Sequence, residues 1–202
     1  MRSELRKRTL ATFLALVGAT SALWASPQSV VTSFDCSRAS SEIEQLICDD
    51  EGLAALDVEM AEIYRRALER WPEEILPEER AFQRGWIEGR NDCWKAEDAR
   101  ACVETSYRTR IIELQIRSGQ LEVPSPVGYV CQGEERHPFM VVFFSETDPP
   151  SAVITFADDQ VIAFGAPTAS GAKYAAPGVE FWEHHGEATV DWYGSELRCH
   201  VR

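Results

Sequence analysis

The chain is poor in the residues and patterns that usually advertise chemistry. It holds four histidines with no paired ligand spacing and has no Cys-x-x-Cys, so no metal site is expected. Gly-x-Ser-x-Gly, His-Glu-x-x-His and a phosphate-cradling glycine loop are all missing, and the acids are too numerous to nominate a catalytic pair. The reading is therefore a non-enzyme with no catalytic residues and no cofactor. Basic side chains are scarce, 20 against 33 acids for a formal charge of −13. Nucleic acid, whose phosphates are bound by clustered Lys and Arg, is thus not an expected partner. Nor does any uncharged apolar run reach the ~20 residues that a membrane span requires.

What is present begins with an export signal. Arg2, Arg6, Lys7 and Arg8 precede an uncharged apolar stretch from Leu10 to Leu23, and small residues follow at Ala22, Ala25 and Ser26. This is the order of a signal peptide over residues 1–25, cut after Ala25. No small-residue run leads into a nearby cysteine, so no stable membrane anchor is expected after cleavage. Removal of the segment takes away four basic residues and one acid, so 20 and 33 become 16 and 32 and the formal charge becomes −16. Such acidity suits a basic protein partner, for which charge complementarity mainly speeds encounter.

Six cysteines behind an export signal imply three disulfides in an oxidising compartment, periplasmic or extracellular. Cys36, Cys48, Cys93 and Cys102 fall in the first half, and their pairing is open. Cys131 and Cys199 bracket the second.

Two periodicities divide the chain. Leu53, Leu56, Met60, Ile63, Ala67 and Leu68 recur at helical steps, as do Phe82, Trp86 and Cys93, and then Val103, Tyr107, Ile111 and Leu114. A short helix from Ser41 to Cys48 opens the set behind a serine-rich cap, and Pro72 and Pro77 separate the second and third helices. Residues 26–118 are thus expected to form a small disulfide-linked helical module. The segment 119–128 carries two prolines and neither period, the mark of a linker. From 129 to 202 the runs are short, apolar or β-branched: Phe139–Phe144, Ala152–Phe156, Val161–Phe164 after an Asp158-Asp159-Gln160 turn, Val179–Trp182 and Ala188–Trp192. An antiparallel β-barrel or sandwich is expected, with Cys131 on the first strand and Cys199 on the last placed to bond across its seam.

Both halves resemble known families. Tyr129-Val130-Cys131-Gln132-Gly133, Ser170-Gly171-Ala172-Lys173-Tyr174 and Phe181-Trp182-Glu183-His184-His185-Gly186-Glu187-Ala188 are similar, in order and spacing, to motifs of the MliC/PliC inhibitors of c-type lysozyme. The helical half, with Phe34-Asp35-Cys36, Leu53-Ala54-Ala55-Leu56-Asp57, Arg90-Asn91-Asp92-Cys93 and Tyr107-Arg108-Thr109-Arg110-Ile111, resembles the N-terminal module of LprI-type proteins. The first resemblance implies an eight-stranded antiparallel barrel whose motif serine and lysine reach the catalytic carboxyls of the lysozyme cleft. It carries over to Ser170, Gly171 and Tyr174. The family's lysine position is His184, and its following glycine is His185.

The chemistry behind the implied role is simple. Lysozyme works between one protonated and one ionised carboxyl group. A hydroxyl can donate to one or accept from the other, and a neighbouring cation adds a charge-assisted hydrogen bond. Ser170, Gly171, Lys173, Tyr174 and His184 are the expected lysozyme-binding residues, Lys173 as a substitute cation beside Ser170. Tyr174 and Trp182 are expected to pack, Glu187 to cap or pair locally, and His184 and His185 to point to opposite sides. The alternative is a non-inhibitory envelope protein-binding module that has lost the lysine contact.

Overall fold

A computed structural model describes residues 31–133 and 136–202; the expected signal peptide lies outside the described residues. Four helices, α1 (Glu42–Asp49), α2 (Glu51–Arg70), α3 (Leu76–Asn91) and α4 (Ala99–Arg117), are followed by a closed antiparallel barrel of eight strands. The expected fold class is borne out. No helix among the described residues is long and apolar enough to cross a membrane.

Local chemistry fixes the helix starts. Ser41 accepts from the Glu44 N–H while the Glu44 carboxylate accepts from the Ser41 N–H, a reciprocal cap for α1. Asp50 caps α2 and Asp98 caps α4 through their carboxylates. Pro77 sits in the first turn of α3, where its missing N–H has no helical partner to lose. Ile43, Ile47, Leu53, Met60, Ile63, Ala67, Val103, Tyr107, Ile111 and Leu114 form one core. Cys36–Cys48 and Cys93–Cys102 staple its ends.

The face expected for α3 is only partly buried. Phe82 is 48% exposed, with the Arg117 guanidinium over its ring. The buried positions of α3 are Glu79, Gln83 and Arg90 instead. They are accommodated because each has a partner: Glu79 binds Arg117, Gln83 accepts from Arg110, and Arg90 donates to the Tyr107 hydroxyl. That hydroxyl in turn donates to buried Asp57, which also accepts from the Ser33 N–H.

The strands are β1 (Val127–Cys131), β2 (Phe139–Phe144), β3 (Ser151–Phe156), β4 (Asp159–Ala166), β5 (Ala172–Ala176), β6 (Val179–His184), β7 (Glu187–Trp192) and β8 (Ser195–Val201). Each pairs with the next, and β1 closes on β8. Tyr129, Phe139, Val141, Ile154, Phe181, Val190 and Trp192 fill the interior, as they must in a barrel of this strand number. Cys131 and Cys199 face each other across the closing pair and are bonded. Two details differ from the sequence reading. The β3–β4 turn is Ala157-Asp158, with Asp159 and Gln160 already paired in β4. And β5, a run of alanines around Tyr174, has no apolar run to announce it. Between the halves, Arg108 Nη1 lies 2.7 Å from Asp148 Oδ2.

Candidate functional site

The alternation of β6, β7 and β8 fixes which side chains leave the barrel. Phe181, Ala188, Val190 and Cys199 point in, so Trp182, His184, Glu187, Thr189, Arg198 and His200 point out. Strand register then lines them up across the sheet. Trp182 pairs with Thr189 and Thr189 with Arg198; one row further, His184 pairs with Glu187 and Glu187 with His200. Ser170 at one side and Gln132 at the other complete a groove of about 490 Å³.

Ser170 is held by its backbone. Its carbonyl accepts from the Trp182 indole and the Thr168 hydroxyl, both at 2.9 Å. The next residue has to be glycine: Gly171 has φ +71°, and a Cβ there would lie 2.1 Å from the Glu183 carbonyl oxygen. The Ser-Gly pair is thus a close approach of the β4–β5 loop to β6, and it presents the Ser170 hydroxyl at the groove beside His184. Trp182, expected to pack in the core, is 40% exposed and serves as wall and anchor.

The other expected residues are placed differently. Tyr174 is buried inside the barrel, where its phenol is pushed up by burial and by the Glu183 carboxylate. Tyr129 shares that end and is pushed up to about 12 by burial, Glu183 and Tyr174 in that order. Lys173 is not a free cation: its Nζ lies 2.7 Å from Glu180 Oε2, and it is not among the groove's lining residues. His184 and His185 do not diverge. His184 ends β6, His185 enters the hairpin turn at φ +54° followed by Gly186 at φ +84°, and the two rings meet edge to face at 4.1 Å. The turn is closed by Glu183, which accepts from the Gly186 N–H at 2.8 Å. Glu187, expected to cap or pair locally, instead lines the groove.

Arg198, His200 and Gln132 were not legible as site residues. The bond between Cys131 and Cys199 held the signal, because it turns Cys199 inward and hence its neighbours outward. Among the described residues no group of His, Cys, Asp and Glu is arranged to hold a metal ion.

The closed barrel thus carries the motif serine and a histidine at one outer groove. In keeping with this, residues 129–198 match the family described as membrane-bound lysozyme-inhibitor of c-type lysozyme. Over 167 residues, 83% of each chain, the protein is 34% identical to Lipoprotein LprI of Mycobacterium bovis and of two strains of Mycobacterium tuberculosis. That length exceeds the barrel and takes in helices as well. The chain belongs to the LprI family, with an MliC-type barrel behind the LprI-like helical part. No solved structure matches it.

Proposed function

We propose that this protein is an exported inhibitor of c-type lysozyme that inserts its Ser170-bearing β4–β5 loop into the enzyme's active-site cleft, with Ser170 and His184 as the two contacts nearest the catalytic carboxyls. The observation that carries the reading is the pinned Ser170 loop. Its carbonyl is occupied by Trp182 and Thr168, while its hydroxyl makes no hydrogen bond among the described residues and is free to meet a carboxyl group. A preorganised loop loses little conformational freedom on binding. His184, next to it, supplies the cation when protonated. An acidic chain meeting a basic enzyme also favours rapid encounter. Blocking the two carboxyls prevents protonation of the leaving oxygen, so no turnover by the inhibitor is involved. Residues 1–25 act as the export signal in this reading, and an envelope location agrees with the family description and with the relatives' name.

Titration of the purified protein into c-type lysozyme, read as clearance of a bacterial cell suspension, tests this. Stoichiometric loss of lysis is expected, weakened by Ser170→Ala. Undiminished lysis at a large molar excess would reject inhibition and favour the alternative binding module.

A further inference from the structure

Resting on the inhibitor reading above, we infer that β8 supplies a second cationic arm of the groove, with Arg198 and His200 binding the acidic groups of the lysozyme cleft from the side opposite Ser170 and His184. Four observations converge. First, the register places Arg198 in the row of Trp182 and Thr189, and His200 in the row of His184 and Glu187, all on the outer face. The two arms therefore stand two strand spacings apart, roughly 10 Å across the groove. Second, neither the Arg198 guanidinium nor the His200 imidazole has an ion pair or side-chain hydrogen bond among the described residues. Elsewhere Arg65, Arg100, Arg108, Arg110 and Arg117 are each matched to a carboxylate.

Third, the obvious replacement for the family's lysine is already engaged, because Lys173 is paired with Glu180. Fourth, cations are rare in this half. From residue 127 onward the only Lys and Arg are Arg136, Lys173, Arg198 and Arg202, whereas all four histidines of the chain fall there and two of them line this groove. Glu187 stands between His184 and His200 in the strand register. A planar guanidinium is suited to forked binding of a carboxylate, which a single lysine ammonium cannot supply. The arrangement thus replaces one permanent cation by a permanent one on β8 flanked by two titratable ones.

The test is the inhibition constant of the full chain against c-type lysozyme for wild type, Arg198→Ala, Arg198→Lys, Arg198→Glu and His200→Ala, at low and high salt. Arg198→Ala is expected to weaken inhibition roughly tenfold, as loss of a charge-assisted contact does. Arg198→Lys restores part of it, Arg198→Glu is worse than Ala, and His200→Ala weakens inhibition less than Arg198→Ala does. The charge effects shrink at high salt. Unchanged thermal midpoints are expected, since both side chains lie outside the barrel core, and these separate a lost contact from a lost fold. If wild type inhibits and the β8 variants match it within twofold, the second arm does not exist, although the inhibitor reading stands. If wild type itself fails to inhibit, both fall together.

Discussion

Replacing Trp182 by Phe removes one atom group with a defined task. The aromatic wall of the groove stays, but the indole N–H that holds the Ser170 carbonyl at 2.9 Å is gone. Because Trp182 is 40% exposed, water competes for the bond, and the lower part of the usual range applies, about 0.5–1 kcal/mol. If that energy preorganises the loop, the dissociation constant for lysozyme should rise roughly two- to fivefold. Thermal stability should hardly change, since Thr168 still donates to the same carbonyl. Titration calorimetry on four proteins, wild type, Trp182→Phe, Ser170→Ala and the double variant, separates positioning from direct contact. A residue that acts only by placing Ser170 adds nothing once the Ser170 hydroxyl is absent, so the double variant should bind like Ser170→Ala. Full additivity would show that the indole touches the partner itself. Unaltered affinity in Trp182→Phe would refute the anchoring of the loop altogether.

His184→Lys restores a permanent cation, and the ratio of wild-type to variant affinity should therefore vary with pH. A charge-assisted contact with a carboxylate needs the charged form of the side chain, so the lysine variant is expected to bind more tightly than wild type at pH 8, with the gap narrower at pH 5.5. The groups facing His184 are Glu187 and His185; a ratio flat from pH 5.5 to 8 removes His184 from the contact. Replacing Cys131 and Cys199 by alanine opens a loop spanning 68 residues and should cost about 4 kcal/mol of barrel stability by the chain-entropy argument, measured by denaturant unfolding; a loss below 1 kcal/mol contradicts it. Tyr129 is pushed up to about 12 from the ordinary 10, so the neutral phenol is favoured in the fold. The stability it contributes is complete below pH 10 and is lost as pH rises towards 12. Tyr129→Phe should flatten that alkaline decline in thermal melts, and an identical decline in the variant would assign it elsewhere.

Much of this protein is written in short-range patterns. Ser41 and Glu44, Asp50 and Asp98 mark helix starts because their side chains satisfy N–H groups one turn away. Leu53 to Ala67 and Val103 to Leu114 declare their buried faces by helical spacing, and the five short apolar runs declare strands. The motif around Ser170 and His184 was visible as a resemblance. Even the seam disulfide follows from cysteines on the first and last strands of a closed sheet.

Tertiary structure decided the rest, and the reason is common to each case. Alternation says on which face of its own strand Arg198 or His200 lies, but only pairing across β6, β7 and β8 says that they share a groove with His184. Lys173 looks like a free charge beside Ser170 until Glu180 on the paired strand takes its ammonium. Trp182 and Phe82 read as core by hydrophobicity, yet Trp182 lies on the outer face of β6 and Phe82 gives up the inner face of α3 to Gln83 and Glu79. Those polar residues can be buried because Arg110 and Arg117, some 27 and 38 residues further on, arrive to pair with them. Periodicity is a property of one segment, whereas a partner for a charge is a property of the packed fold.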